Sequence, residues 1–134
     1  MLYLGREINM KKIISTDKAP PAIGPYSQAI LTNNTLYCSG QIAINPATGN
    51  LVTDNIIDET KQVMKNIEAV LKAANMDFSN VVKCSIFLKN MDDYSVINEI
   101  YSRYFSNYPP AREAVEVSNL PKNVNIEISV VAIQ

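Results

Sequence analysis

Histidine is absent from this 134-residue chain. The commonest general base and the commonest metal ligand are therefore missing, and any catalysis must run on carboxylate, arginine, hydroxyl and backbone groups. Cysteine occurs only at Cys38 and Cys84, too few and too far apart for a zinc site or a redox motif. Both lie in apolar, strand-like surroundings, which predicts buried free thiols rather than a disulfide or a nucleophile. No window approaches the apolar length of a membrane span, and Met1 to Met10 lacks the apolar stretch and cleavage site of a signal peptide, so a cytoplasmic protein without membrane association is expected. There is no basic run either, and 12 Lys and Arg against 13 Asp and Glu leave a net charge of −1. That balance is poor for gripping phosphates, so nucleic acid is not an expected partner. Internal repeats and low-complexity segments are also lacking.

What remains is 47% hydrophobic and 19% charged, the composition of one domain large enough for its own core. Residues 1–9 show no partner pattern and read as an N-terminal extension. The domain is assigned to residues 10–134, with Met10 as the expected physiological start. After a first strand at Ile13-Ile14, Ala19-Pro20-Pro21-Ala22-Ile23-Gly24-Pro25 reads as a rigid loop. Strands are expected over Ser27–Leu31 and Thr35–Ile44, joined at Asn33-Asn34, a pair suited to positive φ. Ser39-Gly40 breaks the second of these, implying a bulge or a close backbone approach to a ligand. Asn45–Asn50 is a loop.

From Asp58 to Ala74 the residues Val63, Met64, Ile67, Val70, Leu71 and Ala74 recur at helical spacing, with Asp58 as N-cap and Asn75 as the stop. Val81–Leu88 is the next strand. Asn90-Met91-Asp92-Asp93 then caps a second helix running to about Asn107, with Ile97, Ile100, Tyr101, Tyr104 and Phe105 as its buried stripe. The expected domain is α/β of the α+β kind: a mixed sheet with both helices on one face. The other face has too little cover in so short a chain, which predicts oligomerisation.

The candidate chemistry gathers at the C-terminal end. Pro109-Pro110 excludes helix, so a strand starts after it, with Arg112, Ala114 and Glu116 on one face and Glu113, Val115 and Val117 on the other. A second strand, Asn125–Ile133, carries Glu127. If a hairpin turns at Pro121 and Lys122, Glu127 lies opposite Glu116 on the face of Arg112, offset from it by roughly 13 Å of strand. That offset suggests that Arg112 and Glu127 serve one pocket only in an oligomer. Arg112 suits a carboxylate, because a guanidinium is always charged and offers two parallel donors; the plainer reading is a salt bridge to Glu113 or Glu116. Ala114 leaves space beside the guanidinium. Glu127 reads either as a solvent-facing strand residue or as a proton acceptor for an attacking water.

Ala22-Ile23-Gly24-Pro25-Tyr26-Ser27-Gln28-Ala29, Ser39-Gly40-Gln41, Pro110-Ala111-Arg112, Leu120-Pro121-Lys122 and Ile126-Glu127-Ile128, in this order, resemble the motifs of the RidA/YjgF reactive-intermediate deaminases. The resemblance covers nearly the whole chain. It implies a homotrimer of chorismate-mutase-like subunits with clefts between them. It also implies hydrolysis of 2-imino acids, such as 2-iminobutanoate and 2-iminopropanoate, to 2-keto acids and ammonia, without metal or cofactor. By the same resemblance Arg112 binds the substrate carboxylate, Glu127 holds or activates the water, and Tyr26, Ser39 and Gly40 shape the pocket. The chain departs from the family pattern at Ala114, where cysteine is frequent, and at Glu113, where a small residue is usual. The rival reading is a non-enzymatic regulator that binds small keto or amino acids in the same cleft. A ribonuclease, the family's older description, ranks last.

Overall fold

The computed structural model describes residues 10–105 and 107–134; the extension assigned to residues 1–9 lies outside the described residues. The elements follow the expected order: β1 (Lys12–Ile14), β2 (Ala29–Thr32), β3 (Thr35–Gln41), α1 (Ile56–Ala73), β4 (Val81–Leu88), α2 (Tyr94–Ser102), β5 (Ala111–Glu116) and β6 (Ile126–Ile133). The strands form one six-stranded sheet in the order β1-β2-β3-β6-β4-β5. All neighbours are antiparallel except β4 and β5, which run parallel through the α2 crossover.

Local chemistry explains most boundaries. Asn33 and Asn34 turn β2 into β3 at φ 48° and 64°, conformations that asparagine tolerates better than most residues. Between Cys38 and Gln41 the register against β6 shifts, so Ser39-Gly40 forms a bulge. The first helix is capped by Asn55 rather than by Asp58: the Asn55 side chain accepts from the Asp58 amide at 2.8 Å, and Asp58 instead sits in the first turn. Asn75 stops the helix at φ 57°. The second helix begins later and ends sooner than periodicity implies. Asn90 caps a single 3-10 turn at Met91–Asp93, and α2 gives way at Arg103 to further turns.

Alternate residues of the central strands are buried beneath the helices. Cys84, Ile86 and Leu88 of β4 and Ile126, Ile128 and Val130 of β6 meet Val63, Met64, Ile67, Val70 and Leu71 of α1 and Ile97 and Tyr101 of α2. Among the described residues no element covers the opposite face, where Ile13 is 63%, Tyr37 53% and Val115 41% exposed.

The order of the strands governs the site. β5 and β6 are not a hairpin: β4 lies between them, pairing with β5 on one side and β6 on the other. Cys84 is opposite Arg112, and Phe87 is opposite Glu127. Cys84 and Phe87 are three residues apart and so point to opposite faces. Arg112 is therefore on the helix side and Glu127 on the open side, contrary to the hairpin expectation. The Asn119–Asn123 turn does form, with Lys122 and Asn123 at φ 55° and 57°, but it carries the chain past β4 to reach β3's edge.

Glu59 of α1 ties this crossing to the core. Fully buried, its carboxylate accepts from the Asn125 amide (2.7 Å), the Asn125 side chain (2.7 Å) and the Ile126 amide (3.2 Å). These bonds satisfy the donors where β6 begins. Removing the acceptor leaves the buried Ile126 amide and the partly buried Asn125 donors unpaired, so Glu59→Ala is expected to cost about 3 kcal/mol, read from urea unfolding at fixed chain concentration. A loss under about 1 kcal/mol would contradict the assignment.

Candidate active site

The open face carries a pocket of about 560 Å³ whose lining includes Tyr26, Ser39, Gly40, Lys122 and Glu127. Three segments build it. The proline-rich loop supplies one wall and is fastened by Gln28, which is buried. The Gln28 side-chain oxygen accepts from the Thr16 amide (2.7 Å), and its Nε2 donates to the carbonyls of Pro20 (2.7 Å) and Thr16 (3.0 Å). The Ser39 hydroxyl donates to the Ser27 carbonyl at 2.6 Å, so it locks loop to bulge. Tyr26, 51% exposed, turns back over Gly24, its amide donating to the Gly24 carbonyl at 2.9 Å. Gly24 holds φ 125°, where an L side chain is strained.

Gly40 makes room for the acid. A Cβ built there would lie 2.7 Å from Glu127 Cδ, 2.8 Å from Oε2 and 3.0 Å from Cγ. The close approach anticipated at Ser39-Gly40 is thus a side chain of the same chain, seated in the notch of the bulge. Burial alone raises the Glu127 carboxyl above its ordinary value. A carboxylate with a raised pKa is a stronger base than a solvated one.

Arg112 lies elsewhere, in a cleft of about 460 Å³ lined with Asn98, Tyr101, Phe105, Pro109 and Pro110. Its Nη1 donates to Asn98 Oδ1 at 2.7 Å and its Nη2 to the Tyr94 hydroxyl at 2.6 Å. Its Cζ stands 4.8 Å from the Tyr101 ring centre and 5.6 Å from that of Tyr94. The salt bridge to Glu113 or Glu116 does not form. Glu113 points to the other face, as alternation expects, and is held by Lys83 at 2.6 Å and by Ser85, which together draw its carboxyl below the usual range. Glu116 accepts from the Met91 amide at 2.8 Å. Arg112 is thus held by neutral acceptors, which orient a cation without neutralising it.

The structure therefore brings together Tyr26, Ser39, Gly40 and Glu127, and places Arg112 with the half-buried Ala114 on the far side of the sheet. Sequence reading missed Gln28, Tyr94 and Asn98. Tyr94, Asn98 and Tyr101 do recur at i, i+4 and i+7, one face of a helix, and that spacing was available. The thiols are buried as expected: desolvation pushes Cys38 up to about 12 and raises Cys84, leaving both protonated and inert at neutral pH. Among the described residues no group of three or more carboxylate or cysteine side chains could hold a metal ion, and no helix is long and apolar enough to cross a membrane. A further groove of about 600 Å³, outside α1 and lined by Lys18, Lys65, Glu68 and Lys72, contains none of the candidate site residues.

Among the described residues, fold and site define a small α+β protein that carries a half-buried carboxyl in a pocket on the sheet face away from the helices, and an arginine without an ion pair behind the sheet edge. The family described as Endoribonuclease L-PSP matches residues 16–134, and the chain belongs to it, the YjgF/RidA family. It is 50% identical over 125 residues to the human protein named 2-iminobutanoate/2-iminopropanoate deaminase, covering 93% of this chain and 91% of that one. It is 55% identical over 121 residues to the Lactococcus lactis protein named "Putative regulator AldR", covering 90% and 96%. A solved structure of the Rid protein YyfA from Yersinia pestis superposes with a TM-score of 0.91 at 51% identity, over 93% of this chain and all of that one.

Because the atoms nearest a Gly40 Cβ belong to a mobile side chain, Gly40→Ala is expected to keep the fold and displace the Glu127 carboxylate. Turnover should fall by about 100-fold while the melting temperature changes by no more than about 3 °C. Turnover within about twofold of wild type would show that the notch does not set the carboxylate.

Proposed function

We propose that the protein is an imine deaminase, hydrolysing 2-imino acids such as 2-iminobutanoate and 2-iminopropanoate to 2-keto acids and ammonia. The observation that carries the reading is Glu127: a carboxyl partly desolvated in a pocket with Tyr26, Ser39 and Gly40, on a face that no element of the described residues covers. The named activity of the human relative supplies the chemistry such a group fits.

The working unit is a homotrimer in the cytoplasm, its pocket completed by Arg112 of a neighbouring subunit. Two features support this. Arg112 and Glu127 are on opposite faces of the sheet and cannot meet within one chain. The open face also presents Ile13, Tyr37 and Val115 to solvent, apolar area of the kind that subunit contacts cover. In the completed site the Arg112 fork grips the substrate carboxylate, while Ala114 leaves room beside it. A protonated imine is already a strong electrophile. Water adds to its carbon as Glu127 accepts a water proton; that proton passes to the departing nitrogen, and Glu127 takes up the hydroxyl proton of the tetrahedral adduct as it collapses to keto acid and ammonia.

The second reading, a regulator that binds small keto or amino acids without turning them over, draws on the name of the Lactococcus lactis relative. Turnover separates the two. With 2-iminobutanoate generated in place by an amino-acid oxidase and trapped competitively by semicarbazide, the wild type is expected to accelerate loss of the imine. Arg112→Ala and Glu127→Gln should each lower kcat/KM by at least about 100-fold. A well-folded protein without acceleration would favour the regulator.

The pH dependence follows from burial. The acid limb of kcat/KM should lie above the usual glutamate pKa of about 4.3 and vanish in Glu127→Gln. The sign for stability is opposite to that for activity. A carboxyl whose folded pKa is raised stabilises the native state while protonated, and that contribution is lost as pH rises through the folded value. Glu127→Gln should therefore melt no lower than wild type at pH 7; a lower melting temperature would contradict the desolvation.

A further inference from the structure

We propose that Tyr94 is a positioning residue for Arg112, its phenol oxygen fixing the guanidinium that receives the carboxylate of a 2-imino or 2-keto acid. The inference rests on the reading of Arg112 as that receptor and extends it to a residue on another element. Arginine is long and rotamer-rich, so an unrestrained guanidinium loses much of its binding energy to ordering. Here two different nitrogens are held from residues one helical turn apart: Nη2 by Tyr94 at 2.6 Å and Nη1 by Asn98 at 2.7 Å. Two such bonds, with the Tyr101 ring 4.8 Å from Cζ, restrict both rotation and tilt of the plane.

The choice of acceptor matters as much as the distance. A carboxylate at either place would cancel the charge, whereas a phenol and an amide leave it intact. Among the described residues Arg112 makes no ion pair. The two bonds use two of its five N–H groups, leaving Nε–H and one on each Nη for an incoming carboxylate. The strand that carries the arginine also sets its holder. Glu116, four residues along β5 on the same face, accepts from the Met91 amide at 2.8 Å, and Asn90 accepts from Asp92 at 2.9 Å. Together they fix the 3-10 turn that leads directly into Tyr94.

The test is a double-mutant cycle on the full chain. Binding of 2-oxobutanoate is measured by calorimetry for wild type, Tyr94→Phe, Arg112→Ala and the double variant, with KM and kcat for 2-iminobutanoate and melting temperatures alongside. Tyr94→Phe keeps the ring and removes only the oxygen. It is expected to weaken binding and raise KM by roughly tenfold, the loss of one hydrogen bond to a charged group, with kcat within about twofold and an unchanged melting temperature. On the Arg112→Ala background the same change should have no further effect. The proposal is overturned if Tyr94→Phe binds as wild type, if it loses the same factor on both backgrounds, or if it lowers the melting temperature while leaving KM unchanged. If Arg112→Ala itself binds as wild type, the carboxylate-receptor reading fails first and this inference falls with it.

Discussion

The placement of β4 between β5 and β6 is the constraint on which the functional arrangement depends. Its antiparallel register with β6 sets Ile86 opposite Ile128 and Phe87 opposite Glu127, while its parallel register with β5 sets Cys84 opposite Arg112. Because side chains alternate with a period of two, a slip of one residue in either pairing would reverse a face and bury Glu127 or expose Ile128. The fully buried Ile86, Leu88, Ile126 and Ile128 resist that slip. Hydrophobic burial on the helix side thus decides where the carboxyl and the guanidinium stand.

Each functional group is then tuned by what lies next to it. Glu127 gains its basicity from a glycine, since only a residue without a Cβ at position 40 lets the carboxylate settle into the bulge and lose water. Arg112 keeps its charge because its partners are an amide oxygen and a phenol. The two devices are complementary. In the proposed reaction a base is strengthened by desolvation, and an anion receptor is kept effective by orientation without neutralisation. Both draw on backbone geometry set by adjoining hydrogen bonds, in the Asn90 and Glu116 bonds at the start of α2 and the Gln28 clamp under the proline-rich loop.

Local signals were legible in the sequence, and partner choice was not. Asn33-Asn34 specifies a tight turn and Gly40 a bulge, because each rests on the conformation of one or two residues. The α1 stripe of Met64, Ile67 and Leu71 is read from its own period. The pairing of β5 and β6 differs from the hairpin expectation because alternation shows that a strand has two faces and says nothing of which strand adjoins it. A turn at Pro121 fits a hairpin and a crossing equally well. The extent of α2 is shorter than its period implies for a related reason: Tyr104 and Phe105 are apolar at helical spacing, yet they reach the core from turns beyond Ser102, where the Phe78 ring packs tilted against Tyr104 and edge-on against Phe105 at 5.1 and 5.4 Å. Of the site, the candidate residues could be named from motifs, but their division between two faces needed the sheet order.

That division makes association between chains part of the proposed chemistry. The most direct test uses two variants inactive for complementary reasons, Arg112→Ala and Glu127→Gln, mixed in equal amounts under conditions that exchange subunits. If each site takes its arginine from one chain and its carboxylate from another, random exchange makes about a quarter of the sites intact, and imine hydrolysis should recover to about that fraction of the wild-type rate. If both groups act from the same chain, no mixture contains an intact site, and activity that stays at the level of the separate variants after verified exchange would contradict the shared site.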